Sequence, residues 1–213
     1  MPRRRRFLVV GQPCHAVNRG QDKRTLFYQE SEYQHFIDLM TEGRRRYAVR
    51  IHAYNLIANH FHQVLTPLER GAVSAYLQWV EGRYGCHLRQ WTYTVGQGHV
   101  FQHRFWAETI GTSPFHLFNV LRYVEANALA AGLVQRAEDW KWGSLWERTT
   151  NGRSLLDPLP TEMMELPSDW VDIVNDLLPE PGTPGSDPYP VVGEEGEGSD
   201  PCMPNPCMPN TSR

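Results

Sequence analysis

The sequence predicts an α+β domain of the ferredoxin-like type, an antiparallel sheet with helices packed on it. Three observations carry that expectation. The hydrophobic periodicity runs strand, helix, strand, strand, helix, strand, helix. The chain is 40% hydrophobic and 11% aromatic, enough for a real core. Composition then changes after Arg153, which confines the folded domain to residues 1–153.

Four arginines, Arg3 to Arg6, form a basic arm, followed by apolar runs at 7–10 and at Cys14-His15-Ala16-Val17. These runs predict a first strand ending at Asn18-Arg19-Gly20, where Gly20 permits a turn. Ser31 with Gln34 has the form of a capping box, and Tyr33, Phe36, Ile37 and Met40 follow at helical spacing, giving a helix over 31–46. The alternating stretch 50–57, broken by Ala58-Asn59 and resumed from His60 to Pro67, predicts two strands joined by a tight turn. Val73, Tyr76, Leu77, Val80 and Tyr84 make a second helical stripe ending at Gly85, and the glycine- and aromatic-containing stretch 86–104 is expected to be a loop. A strand over 105–110 follows. Ser113-Pro114 opens the last long helix with a capping hydroxyl and a proline in the first turn. Leu117, Val120, Leu121, Val124 and Ala128 form its buried stripe, and Gly132 closes it. Trp140, Trp142, Leu145 and Trp146 are an aromatic patch expected to fold back on the domain. Residues 154–178 are expected to be a weakly docked amphipathic segment. Residues 179–213, rich in Pro, Gly, Glu and Ser and ending in a duplicated Pro-Cys-Met-Pro-Asn, are expected to be a disordered acidic tail.

Charge is divided unevenly. Residues 1–153 hold 20 Lys+Arg and 12 Asp+Glu, a net +8, whereas 154–213 hold 1 and 12, a net −11. A basic domain attracts polyanions, of which nucleic-acid backbones are the commonest large ones in a cell. No stretch has the apolar length of a membrane span, and the apolar part of the N-terminus is too short for a signal peptide, so a cytoplasmic location is expected. The four cysteines give neither zinc-finger spacing nor a disulfide framework.

The run Asn59-His60-Phe61-His62-Gln63 carries the first chemical signal. Side chains alternate along a strand, so His60 and His62 project to one face and Phe61 to the other. Two imidazoles on one face can share a divalent ion. On the last long helix Tyr123 and Asn127 are four residues apart and stack on one side, at the flank of the apolar stripe.

Taken in order, Asn18-Arg19-Gly20, His52-Ala53-Tyr54, Asn59-His60-Phe61-His62, Gln102-His103-Arg104-Phe105, the stretch Leu121-Arg122-Tyr123-Val124-Glu125-Ala126-Asn127 and Ala131-Gly132-Leu133-Val134 resemble the HUH tyrosine transposases, most nearly the REP-associated tyrosine transposases. Ala58, Gln63 and Ala128 depart from that pattern, which usually has proline, an aliphatic residue and proline there. The resemblance implies a metal-dependent single-stranded DNA endonuclease and strand transferase acting on hairpin DNA through a 5′-phosphotyrosine. His60, His62 and Asn127 would hold Mg2+ or Mn2+, and Tyr123 would be the nucleophile. Arg19, Arg104 and Arg122 would contact DNA, with Trp91, Phe101 and Trp106 as stacking surfaces for unpaired bases. A domesticated protein that binds DNA hairpins without cutting them is the alternative, and either a monomer or a dimer is compatible with the sequence.

Overall fold

The computed structural model describes residues 8–92, 96, 98–111, 113–150, 152–160 and 164–176; the basic arm at 3–6 and the acidic tail at 179–213 lie outside them. Four strands, β1 (Cys14–Arg19), β2 (Val49–Ile57), β3 (His60–Pro67) and β4 (Trp106–Thr109), form one sheet in the order β2-β3-β1-β4. All three pairings are antiparallel, so the α+β, ferredoxin-like architecture read from the sequence is the one observed.

Two hydrophobic cores lie on opposite faces of this sheet. Helices α1 (Glu30–Arg46) and α2 (Ala72–Trp91) cover one face, where Phe36, Met40, Tyr76, Leu77 and Val80 pack with Ile51, Tyr54, Leu56, Phe61 and Leu65. Helix α3 (Pro114–Ala130) covers the other, where Leu117, Leu121 and Val124 pack with Ala53 and Val64. A bulge makes the two sets compatible. Ile51 and Ala53 pair with the adjacent residues Leu65 and Val64, leaving His52 as the extra residue, and this carries Ile51 into the first core while Ala53 belongs to the second.

The two-residue turn between β2 and β3 is held from outside. Leu26 and Phe27 donate backbone N–H groups to the Ala58 carbonyl at 2.7 and 3.0 Å, and Gly20 N–H donates to the Asn59 carbonyl at 2.9 Å. Gly20 is required here for space rather than for an unusual dihedral: its φ is −61°, but a Cβ would lie 2.2 Å from the Arg24 carbonyl oxygen. Gln63, the polar departure within β3, is fully buried and accepts a hydrogen bond from Tyr76 Oη at 2.9 Å.

Several boundaries differ from the sequence expectation. Helix α1 starts at Glu30 after Gln29, so Ser31 lies inside the first turn and makes no cap; Glu30 and Glu32 supply the negative charge that suits a helix N-terminus. Helix α2 runs through Gly85 to Trp91, because Leu88 extends the buried stripe one turn past Tyr84 and Gly85 is packed beside Val100. Within the expected apolar run, residues 8–10 are not part of β1, which begins at Cys14 after a turn with Gly11 at φ 81°. Helix α3 ends as predicted: Gly132 at φ 68° lets its N–H bond Leu129 O and the Leu133 N–H bond Ala128 O, the paired bonds of a Schellman motif.

After α3 the chain closes the open edge of β2. Leu56 N–H donates to the Trp142 carbonyl at 3.1 Å, and Trp140 Nε1–H donates to the Leu56 carbonyl at 3.0 Å. This satisfies an edge that would otherwise offer unpaired backbone groups. Glu147, on α4 (Ser144–Thr150), accepts from Tyr54 Oη and from the backbone of Leu155 and Leu156 at 2.7–2.9 Å. Helix α5 (Trp170–Asn175) buries Trp170 and Val174 in the second core.

Candidate active site

The site forms where β3 passes under α3. Alternation along β3 sends Phe61 into the first core, its ring 5.1 Å from that of Phe36, and leaves His60 and His62 on the α3 face. The two imidazole rings are 5.0 Å apart and nearly perpendicular. His60 Nδ1 is 2.7 Å from Asn59 Oδ1; an amide oxygen can only accept, so Nδ1 carries a proton. His62 is fully buried, with Nδ1 3.0 Å from His15 Nε2. Its Nε2 is buried with no hydrogen-bond partner. Burial above all, then the neighbouring His60, His15 and Arg19, holds the His62 pKa well below the usual histidine value, so the ring is neutral.

Tyr123 reaches this cluster from α3. Its ring is 5.5 Å from that of His62 and 6.2 Å from that of His15, edge-on to both. Two anchors set α3 in place. Asn55 lies directly opposite His62 in the β2–β3 ladder, and its Nδ2 donates to the Val124 carbonyl at 2.9 Å. Glu125, with its carboxylate buried, accepts from Ser144 Oγ at 2.6 Å, Arg148 Nε at 2.8 Å and Trp170 Nε1 at 2.6 Å. Tyr123 therefore sits on a helix tied to the sheet on one side and to the C-terminal segment on the other.

The remaining sequence candidates divide by location. Asn127 is half-buried one turn beyond Tyr123 on α3. Arg19 pairs with His60 across the β1–β3 ladder, which puts it on the histidine face. Arg122 turns toward α5, its Nε donating to the Ile173 carbonyl at 2.8 Å. Arg104 is exposed in the connection before β4, beside His103, whose carbonyl accepts from Asn18 Nδ2 at 3.1 Å. Trp106 lies edge-on to His15 with ring centres 5.9 Å apart, Phe101 packs against the first core, and Trp91 is 42% exposed against the ring of Tyr28.

Sequence reading missed His15 and Asn55. His15 stands two and four residues before Val17 and Arg19 on β1, so strand alternation places it on the face that faces α3; the signal was present but looked like part of an apolar run.

The donor set accords with a divalent ion. Among the described residues no group of three or more His, Cys, Asp and Glu side chains is arranged to hold a metal. His60 and His62 would have to serve, with Asn127 one turn beyond Tyr123 on α3 as the remaining candidate, and the orphaned His62 Nε2 is a buried polar atom that a metal ion would satisfy.

The sequence model of the family described as "Transposase IS200 like" matches residues 9–127, from the approach to β1 through Asn127. The chain belongs to the IS200-like transposase family. Among solved structures, this transposase is similar in fold to a REP-associated tyrosine transposase bound to a REP hairpin, at 17% identity and a TM-score of 0.56, covering 75% of this chain and 92% of that one. A looser likeness, at 11% identity and a TM-score of 0.40, covers 51% of this transposase and 86% of a Deinococcus radiodurans protein named as a candidate transposase. Among curated proteins none matches. The transposase identity expected from the ordered motifs is thus the one observed, and among the described residues no helix is long and apolar enough to cross a membrane.

Proposed function

We propose that this transposase cleaves and rejoins single-stranded DNA flanking a hairpin, with Tyr123 as nucleophile and His60, His62 and Asn127 as ligands for Mg2+ or Mn2+. The observation that supports this reading most is the pairing of His62, whose buried Nε2 has no protein partner, with the Tyr123 ring 5.5 Å away. A divalent ion bound there supplies Lewis-acid polarisation of the scissile phosphate and offsets the charge that builds on it.

The chain's own residues do the rest. Tyr123 Oη attacks phosphorus, forming the Tyr–O–P bond while the bond from phosphorus to the 3′ oxygen breaks. The phenol proton passes to solvent and the departing 3′ oxygen takes one up, leaving a 5′-phosphotyrosine and a free 3′-OH. The energy of the original phosphodiester is kept in the new one, so attack by another 3′-OH reverses the step and joins strands. Asn55 and Glu125 keep α3 in register with β3, which holds the phenol over the histidine face.

Recognition is assigned to the basic domain. Arg19 and Arg104 contact phosphates, Arg122 contributes charge from α3 where it meets α5, and the exposed Trp91 and half-buried Trp106 offer faces on which unpaired bases stack. The related REP-associated transposase was solved with a hairpin, and a hairpin is the substrate class we assign. The Tyr123 and His62 rings lie 5.5 Å apart within one chain, which supports a reading in which a single chain supplies both, as monomer or as a subunit of a dimer.

The test is a covalent adduct assay. Labelled hairpin DNA with single-stranded flanks and Mn2+ should give a protein–DNA species that survives denaturing electrophoresis. The Tyr123→Phe, His60→Ala and His62→Ala variants should each lose it. An undiminished adduct from Tyr123→Phe would sink the mechanism, and hairpin binding without any adduct from wild type would identify a domesticated, non-cleaving protein instead.

A further inference from the structure

We propose that His15 is a positioning residue that fixes the tautomer of His62, keeping the proton on Nδ1 so that the Nε2 lone pair is available to a metal ion. The inference rests on the metal site proposed above.

The contact between His15 Nε2 and His62 Nδ1 is 3.0 Å, and a hydrogen bond of that length needs a proton on one nitrogen and a lone pair on the other. Two arrangements satisfy it. If His15 donates, neutral His62 must carry its own proton on Nε2, an N–H buried without an acceptor and unable to ligate. If His62 donates, the buried N–H moves to His15 Nδ1, a ring that holds no metal, and His62 Nε2 bears the lone pair a metal requires; the requirement of the metal, not the hydrogen bond, selects this arrangement. Metal-bound histidines generally donate their second ring N–H to a fixed acceptor, which orients the ring and raises its basicity. His60 already follows that rule through Asn59 Oδ1 at 2.7 Å. His15 gives His62 the equivalent partner, so both imidazoles are tied at Nδ1.

The seat of His15 suits the task. It lies on β1 opposite Val64, diagonal to His62 on the same face, and is 1% exposed. Its ring is nearly parallel to that of His62, with centres 5.2 Å apart, and the edges of Trp106 and Tyr123 enclose it. A strand residue packed in this way holds a fixed orientation, whereas the Asn59 partner of His60 lies on a turn. Neither the two-histidine motif nor the tyrosine helix includes His15, and it touches no substrate in this role.

The experiment uses the full chain without DNA. Two variants separate hydrogen bonding from packing: His15→Gln keeps an acceptor near the Nε2 position, and His15→Leu fills similar volume with none. Long-range 15N–1H correlation spectra of histidine-labelled protein, with His62→Ala as the assignment control, should show His62 as the Nδ1–H tautomer in wild type and in His15→Gln, and shifted toward Nε2–H in His15→Leu. Mn2+ affinity, read by the free-ion electron paramagnetic resonance signal, should fall ~10- to 100-fold in His15→Leu and stay within about threefold of wild type in His15→Gln. An Nε2–H tautomer for His62 in wild type overturns the proposal. So does unchanged Mn2+ affinity in a folded His15→Leu variant. If Mn2+ binds wild type, His60→Ala and His62→Ala equally, the metal site itself fails, while the wild-type tautomer still decides the role of His15. Should His15→Leu not fold, the wild-type tautomer and the His15→Gln affinity decide.

Discussion

Asn55 stands directly across the ladder from His62, and its side-chain amide grips the carbonyl of Val124, the residue after Tyr123. One side chain thus links the strand carrying a proposed ligand to the helix carrying the proposed nucleophile. The Asn55→Leu variant removes that donor from a buried position and should lose about 1–3 kcal/mol of stability. Adduct formation should fall by about 100-fold, because a displacement on the order of 1 Å of a reacting group costs that much. Urea melts and the denaturing gel measure the two effects; an adduct yield equal to wild type would remove Asn55 from the positioning scheme.

Glu125 gathers three donors from two later elements, and its carboxylate has no exposure. Truncation to Ala strands the buried Ser144 hydroxyl and Trp170 indole and leaves Arg148 with the His52 carbonyl in place of its carboxylate, and stability should drop by about 3–5 kcal/mol. Glu125→Gln keeps an acceptor and should drop by less. Thermal unfolding of the three proteins gives the order directly.

Phe61 and His60 are neighbours with opposite duties. Phe61→Ala empties a fully buried site against Phe36 and should cost about 3–5 kcal/mol. His60→Ala is expected to leave the urea midpoint close to wild type while abolishing the adduct. Equal stability losses would contradict the division of β3 into a core face and a chemical face.

Acid should destabilise the fold through its buried histidines. Burial pushes His15 down to about 3, His52 down to about 4, and His62 well below the ordinary value of 6.5. These groups stay neutral in the folded protein while the unfolded chain takes up protons below pH 6.5, so the unfolded state binds more protons and stability falls as pH falls. The contribution is fully present above 6.5 and is lost progressively toward pH 4, by about 1 kcal/mol per pH unit for each histidine. Urea midpoints at pH 7, 6 and 5 should decline in that order, and His52→Gln should flatten the slope by about one histidine's share. A flat series would refute the burial account.

The sheet was legible because its signals are local: period-two alternation in β2 and β3, a two-residue break at Ala58-Asn59, and the glycine that closes α3. What escaped depends on partners distant in sequence. Gly85 looks like a helix end until Val100 is seen beside it, and Ser31 looks like a cap until the helix is found to start at Glu30. His52 reads as a strand residue like its neighbours, and only the cross-strand register identifies it as the bulge. His15 and Asn55 are single polar residues within apolar runs, and nothing in their own strands marks them until β1 and β2 are laid on either side of β3. Arg122 belongs to the ordered motif, but its engagement with Ile173 depends on a segment whose docking the local pattern does not specify.

The sheet also divides the consequences of sequence change. Because the packing of α1 and α2 is on one side and that of α3 and α5 on the other, substitutions among Leu117, Leu121, Val124 and Trp170 can tilt or slide the tyrosine helix without disturbing the layer around Phe36 and Tyr76. A lineage of such proteins can therefore drift in how closely Tyr123 and the histidines approach, and with it in the proposed chemistry, while inheriting the same robust half of the molecule.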